Sequence, residues 1–273
     1  LFKLRKDSSF DRNIAHVELL EEREPIYGEI KEELPINLSD YLERKNISLY
    51  KHQCESLEEI RKGNNIVITT PTASGKTLAF NLPIFEFLSK DTNATALYLY
   101  PTKALSNDQL KVLRALEAET EIRVNPNVYD GDTPSTIRPK IRNESRIIVS
   151  NPYEMHHILP WNYKWQHFFS NLKFIVLDEA HIYRGVFGSN VSLLIRRIER
   201  VCEYYGSSPQ LIISTATLAN PIEFAGKLTG LKYKLITEVG SPKGKKYFIF
   251  TILIKMGISY QLIRNQKDFF YFS

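Results

Sequence analysis

The sequence predicts a three-layer α/β domain with a mainly parallel sheet, and three observations carry that prediction. Short apolar runs such as Ile66-Val67-Ile68 and Phe174-Ile175-Val176-Leu177 recur between longer helix-like stretches. Those runs are apolar throughout, not apolar and polar in alternation, which marks strands covered on both faces. A turn of phosphate-binding character, ending Ser74-Gly75-Lys76-Thr77, lies directly between one such run and a helical stretch.

Taken in order, the first fifty residues are polar and broken by Pro25 and Pro35, and Ser39-Asp40 offers an N-cap for a short helix reaching about Lys45. A helical pattern over 52–61 stops at Gly63, and 65–70 is a β-branched apolar run. Helix is then expected over 75–88, strand over 95–100, helix over 104–116 and extended chain over 123–129. A short helix at 139–143 leads to a strand at 146–150. The series closes with a strand at 173–177, a long helix at 189–205 and a strand at 210–214. In that long helix Val191, Leu194, Ile195, Ile198, Val201, Cys202 and Tyr205 share one stripe, whereas Arg196, Arg197 and Arg200 fall outside it. Cys202 is therefore expected in the core and the arginines on a solvated face. The run Trp161, Tyr163, Trp165, Phe168, Phe169 is expected to anchor a loop to the core, and His156, His157 and His167 to be satisfied structural histidines.

The 273 residues are 43% hydrophobic and 25% charged, enough to bury one large core without staples, which excludes disordered, collagenous and disulfide-scaffold classes. Two cysteines, Cys54 and Cys202, cannot build a zinc site alone and suit a reducing compartment. No apolar run is long enough to span a membrane. A cytoplasmic location is expected, nucleoid-associated or nuclear according to the host. The formal net charge of +5 is unevenly spread: −3 over residues 1–50, +1 over 51–150 and +7 over 151–273, a weak pointer to a polyanionic partner.

The strongest chemical signal is Thr70-Pro71-Thr72-Ala73-Ser74-Gly75-Lys76-Thr77. Backbone N–H groups at a helix N-terminus offer positive charge to a triphosphate, Lys76 can reach its outer phosphates, and the Thr77 hydroxyl can ligate Mg²⁺. Thr70 stands where the strict pattern has glycine. Asp178-Glu179-Ala180-His181 ends an apolar run, where carboxylates face the ligand crevice of a parallel sheet. Asp178 suits Mg²⁺ and Glu179 suits activation of a water as general base. The run Ser214-Thr215-Ala216-Thr217 ends another strand with hydroxyls. Upstream, Tyr50 and Gln53 precede the phosphate loop, and the glutamine amide can both donate to and accept from adenine.

This ordered set, with Tyr100-Pro101-Thr102-Lys103-Ala104-Leu105, resembles the first RecA-like lobe of superfamily 2 DEAD/DEAH-box helicases over residues 48–237. Tyr129-Asp130-Gly131-Asp132-Thr133, Ser150-Asn151-Pro152 and the string 178–189 (DEAHIYRGVFGS) are similar to the MrfA/YprA-type, DUF1998-associated branch of DNA-repair helicases. The resemblance implies ATP and Mg²⁺ as ligands, with Gln53 and Tyr50 at the base, residues 70–77 at the phosphates, and Lys76, Asp178 and Glu179 as catalytic groups. His181, Thr215 and Thr217 would couple hydrolysis to movement. Pro101, Thr102, Lys103, Gly131, Asp132, Asn151 and Pro152 would grip the backbone of single-stranded DNA, or of DNA with a single-stranded tail; ordinary turn chemistry accounts for the same residue types. A 3′-to-5′ direction is likewise only implied.

Residues 1–47 are expected as a lead-in. Residues 238–273 are expected as an exposed inter-lobe connection, around 240–246, followed by a tail, with the second lobe of such helicases absent. The alternatives are a catalytically idle module that binds nucleotide or nucleic acid, and a lobe that acts on RNA.

Overall fold

A computed structural model of the chain describes residues 14–71, 74–237 and 240–251. Thr72 and Ala73 of the phosphate loop, and the apolar tail run beyond Thr251, lie outside the described residues. Two compact units are present: residues 26–241, and the flanking segments 14–25 and 242–251. In the flanking unit β1 (Ile14–Leu20) pairs antiparallel with β9 (Lys246–Thr251), and an isolated bridge joins Arg23 to Lys243.

The larger unit runs α1 (Ile36–Arg44), α2 (Lys51–Arg61), β2 (Ile66–Thr69), α3 (Lys76–Lys90), β3 (Thr95–Leu99), α4 (Lys103–Thr120), β4 (Asn127–Val128), α5 (Arg138–Glu144) and β5 (Ile147–Ser150). It continues with α6 (Pro152–Ile158), a 3-10 segment (Leu159–Trp165), α7 (Gln166–Ser170), β6 (Leu172–Leu177), a 3-10 turn (Ala180–Ile182), α8 (Gly185–Tyr204), β7 (Gln210–Thr215), α9 (Pro221–Thr229) and β8 (Lys234–Ile236). The seven strands form one sheet in the order β4-β5-β3-β6-β7-β2-β8, with parallel pairing throughout.

The uniformly apolar strands are explained by two cores, one on each face. Side chains alternate across a strand, so Ile66 and Ile68 of β2 enter the core shared with α1 to α4 while Val67 enters the other. In β3, Ala96 and Tyr98 face the first core, and Leu97 and Leu99 face the second. The second core is closed by α6 to α9, through Met155, Phe168, Phe169, Ile195, Ile198, Cys202 and Leu228. Cys202 is fully buried, and burial pushes its thiol up to about 11, as a core role requires.

Several expectations are corrected by the structure. The N-cap of α1 is Pro35, without a side-chain cap, and the Ser39 hydroxyl donates to Leu34 O inside the first turn. Only Asn127–Val128 of the stretch 123–129 joins the ladder, because Ile122 and Val124 pack inward beside Glu117, whose carboxylate accepts from the N–H groups of Val124 and Asn125. The phosphate loop and the Asp178-Glu179 turn, expected on neighbouring strands, are carried by strands that do not adjoin: β7 lies between them. The aromatic run divides, with Trp165, Phe168 and Phe169 buried but Trp161 and Tyr163 exposed. His156, His157 and His167 are exposed, but His156 Nδ1 accepts from Arg197 and His167 Nδ1 lies 3.4 Å from Asn171 Nδ2, so for these two the expected structural role stands. The segment expected as an exposed connection begins later, since Gly240 and Ser241 are buried. Gly240 N–H donates to His52 Nδ1 and its carbonyl accepts from Ile26 N–H, and a Cβ there would stand 2.3 Å from Ile26 O.

Candidate functional site

The phosphate loop is shaped by its glycine and by a glutamine from α2. Gly75 takes φ +81° as the N-cap of α3, a left-handed conformation that favours glycine, and a Cβ would meet Gln53 Nε2 at 2.6 Å. Gln53 Nε2 donates to Gly75 O at 3.0 Å, and its Oε1 accepts from Tyr50 N–H at 2.9 Å. The buried Thr70 and Ser74 hydroxyls pair across the loop at 2.6 Å. The Tyr50 ring stacks between Tyr27 and His52. Burial lowers the His52 imidazole below its usual value, against a backbone hydrogen bond at Ser74 that raises it, so the ring between the loop and Gly240 is held neutral.

Lys76 is the decisive side chain. It is only 9% exposed, and its ammonium donates to Thr70 O at 3.1 Å and Thr215 O at 3.3 Å. Among the described residues it has no carboxylate partner. A buried ammonium held by two carbonyls and no anion is costly, and three donors at a helix N-terminus fit an incoming polyphosphate. Thr77, one residue on, is half-buried.

The acidic turn faces the same crevice from β6. Asp178 N–H donates to Leu99 O at 3.2 Å, tying the turn to β3, and Asp178 Oδ1 accepts from Glu179 N–H at 2.8 Å. Glu179 adopts φ +50°, a left-handed conformation uncommon for its type, and its Oε2 lies 3.2 Å from His181 Nδ1 without hydrogen-bond alignment. Burial and the nearby charge of Asp178 push the Tyr100 and Tyr183 phenols up, so both stay protonated beside that carboxylate. At the end of β7 the buried hydroxyls of Ser214 and Thr215 have no hydrogen-bond partner among the described residues, and Thr217 is exposed. Thr77 and Asp178 are hard oxygen donors, which fits Mg²⁺.

A second cluster lies along β3, β5 and β4, which are adjacent in the sheet. Thr102 caps α4 by accepting from Leu105 N–H, and Asn151 caps α6 by accepting from Glu154 N–H at 2.9 Å, with Pro152 in the first turn. Lys103 Nζ pairs with Asp132 Oδ2 at 2.6 Å, and Asp130 Oδ1 accepts from Asp132 N–H. Pro101 is half-buried, Gly131 exposed.

A DEAD/DEAH box helicase family model matches residues 50–224, a span that runs from Tyr50 past Thr217. The chain belongs to that family. It is 42% identical to the protein described as the uncharacterized ATP-dependent helicase YprA of Bacillus subtilis, over 92% of this chain and 34% of that protein. It is 36% identical to the ATP-dependent helicase HRQ1 of Saccharomyces cerevisiae, over 90% of this chain and 23% of that one. The crystal structure of the DUF1998 helicase MrfA bound to DNA and AMPPNP superposes with a TM-score of 0.87 at 42% identity, over 92% of this chain and 35% of that chain. The chain thus spans about a third or less of the length of these relatives.

Within this helicase lobe the structure adds residues that sequence patterns missed. Arg138 donates from Nε to Thr133 O and from Nη2 to Asp130 O, both at 2.9 Å, pairs with Glu154 Oε1 at 3.4 Å, and lies over the Tyr129 ring. One guanidinium therefore holds the 130–133 loop and the start of α6 together. Its acceptors are mostly backbone carbonyls, so no residue pattern announces it.

Proposed function

We propose that this lobe binds and hydrolyses ATP with Mg²⁺ as part of a DNA helicase, moving 3′-to-5′ on single-stranded DNA in a repair setting. The observation that carries the reading is the buried Lys76 ammonium at the mouth of a phosphate loop, whose hydrogen bonds among the described residues go to the carbonyls of Thr70 and Thr215. Lys76 and the N–H groups opening α3 would hold the phosphates, with Thr77 and Asp178 on the metal ion. Mg²⁺ supplies neutralisation of the charge on the outer phosphate oxygens. Glu179 would take the proton of the attacking water, and Gln53 would join the base to the phosphate loop, to which it is already hydrogen-bonded. His181 beside Glu179, and Thr215 beneath Lys76, would pass the state of that site outward, with Thr217 at the rim. The clustered loops bearing Pro101, Thr102, Lys103, Gly131, Asp132, Asn151 and Pro152 would hold a strand by its phosphates. DNA as substrate is supported by the MrfA complexes. A cytoplasmic or nuclear location belongs to the same proposal.

Titration of a fluorescent ATP analogue with single-turnover hydrolysis tests these roles. Lys76→Ala is expected to weaken nucleotide binding at least about tenfold. Glu179→Gln should bind as the parent does and lose about 10²–10⁴ in turnover. Equal loss of binding in both variants overturns the assignment. Hydrolysis stimulated by oligodeoxynucleotide separates the helicase reading from an idle binding module, and stronger stimulation by RNA would replace DNA as substrate.

A further inference from the structure

Beyond the loops assigned to strand contact, α6, the 3-10 segment and α8 display aromatic and cationic side chains in one connected series. Tyr153 follows directly after Asn151-Pro152, is 74% exposed, and meets the His157 ring edge-on at 4.6 Å. His157 contacts His156, whose Nδ1 accepts from Arg197 Nη1 at 2.8 Å. Arg197 then opens a cleft of about 350 Å³ between α8 and the 3-10 segment, lined also by Arg200, Tyr204 and Asn162. On either side of Asn162 in the chain stand the exposed rings of Trp161 and Tyr163, with Lys164 Nζ 4.9 Å and 5.6 Å from their centroids.

Large aromatic rings left in solvent are unfavourable unless something covers them, and this group has a consistent chemistry. Arg197, Arg200 and Tyr204 recur at helical spacing along one stripe of α8, while the acids of that helix, Glu199 and Glu203, fall outside it. Aromatic faces interleaved with cations that have no carboxylate partner among the described residues suit unstacked bases on a phosphate chain, since every base has a stacking face and every linkage a charge. We propose that this surface is an extension of the strand path, a stacking track for single-stranded nucleic acid leading from Asn151-Pro152 by way of the Arg197 cleft to the exposed rings of the 3-10 segment. The inference rests on the strand contact proposed above and names the surface that receives the strand beyond it.

Of the chain's two tryptophans, Trp161 is exposed and Trp165 is buried, so intrinsic fluorescence reports on the track directly. Oligothymidylates of about 6 and about 15 nucleotides, labelled for anisotropy, are titrated onto the full chain. The longer oligomer is expected to bind more tightly and to quench the tryptophan signal, and Trp161→Phe to remove that quench. Trp161→Ala should weaken the longer oligomer by about 5- to 100-fold with little effect on the shorter, with Trp161→Phe restoring most of the affinity. Arg197→Ala with Arg200→Ala should reduce the salt slope of the longer oligomer by about 0.7 per lost contact. Lys103→Ala should weaken both lengths. If both oligomers bind but Trp161→Ala changes neither and no quench is seen, the track is overturned while the strand contact stands. If neither binds, the strand contact fails and the track fails with it.

Discussion

At the scale of the residue, Gly188 illustrates how one missing methyl group positions the acidic turn. A Cβ at this position would stand 2.4 Å from the carbonyl oxygen of Tyr183 and 2.7 Å from its carbon, contacts with backbone that cannot rotate away. Tyr183 is buried beside Asp178, so whatever shifts it also shifts the turn that carries Asp178 and Glu179. Gly188→Ala is therefore expected to lower stability by about 1–3 kcal/mol through overpacking, seen as a lower melting temperature. It should also slow single-turnover hydrolysis more than it weakens nucleotide binding. An unchanged melt and rate would mean that the first turn of α8 can retreat without disturbing the acidic turn. The need for glycine at 188 was not readable from the string Tyr183-Arg184-Gly185-Val186-Phe187-Gly188, because the obstacle is the chain's own backbone five residues earlier.

At the scale of the element, Glu86 and Arg61 fasten α3 to α2 and to the segment before α1. Arg61 donates to both carboxylate oxygens of Glu86, at 2.9 and 2.8 Å, and to Glu32 O at 3.0 Å, while Lys90 reaches Glu86 Oε1 at 2.8 Å. Burial alone would raise the Glu86 carboxyl, but hydrogen bonds from Arg61 and Lys90 outweigh it and hold the group below its usual value. A depressed carboxyl contributes stability that is complete above the ordinary carboxylate range and is lost as pH falls through the lower value of the folded state. Glu86→Gln should cost about 1–3 kcal/mol at neutral pH by removing the charge that Arg61 and Lys90 share, Arg61 keeping Glu58 as a partner, and should flatten the acid limb of a urea-denaturation series. A cost below about 0.5 kcal/mol, or an unchanged acid limb, would show that the pair behaves as a solvated surface bridge. The helices and central strands were legible because their burial follows local periodicity: the stripe from Val191 to Cys202 lies in the core as its spacing requires. What depended on distant partners was not. The strand Lys234–Ile236 is too short to announce itself, and exists because β2 offers it an edge. The order of strands was equally hidden, so the placement of β7 between the phosphate loop and the acidic turn had to come from the fold.

At the scale of the whole molecule, the position of β7 has a functional consequence. Thr215 ends the strand lying between the nucleotide loop and the acidic turn, its carbonyl accepts from Lys76, and its hydroxyl is buried and, among the described residues, unpartnered. On the proposed reading, a change in occupancy at Lys76 would reach β7 first, through that hydrogen bond, and then the residues after it, including the exposed Thr217. Coupling of this kind produces movement only when a second body responds to it, and the chain spans about a third or less of the length of its helicase relatives. Arginines reaching a γ-phosphate from across a cleft are worth about 10³–10⁵ in rate. The 273-residue chain by itself is therefore expected to bind nucleotide with its loop intact, to hydrolyse it about a thousandfold or more slowly than a longer chain containing both lobes, and to leave duplex DNA unwound only at background rate. Steady-state hydrolysis and a strand-displacement assay on a tailed duplex check both expectations. Robust displacement by the 273 residues alone would mean that residues 26–241 and their flanking segments supply the responding body themselves, and the coupling assigned to Thr215 would then have to act within this chain.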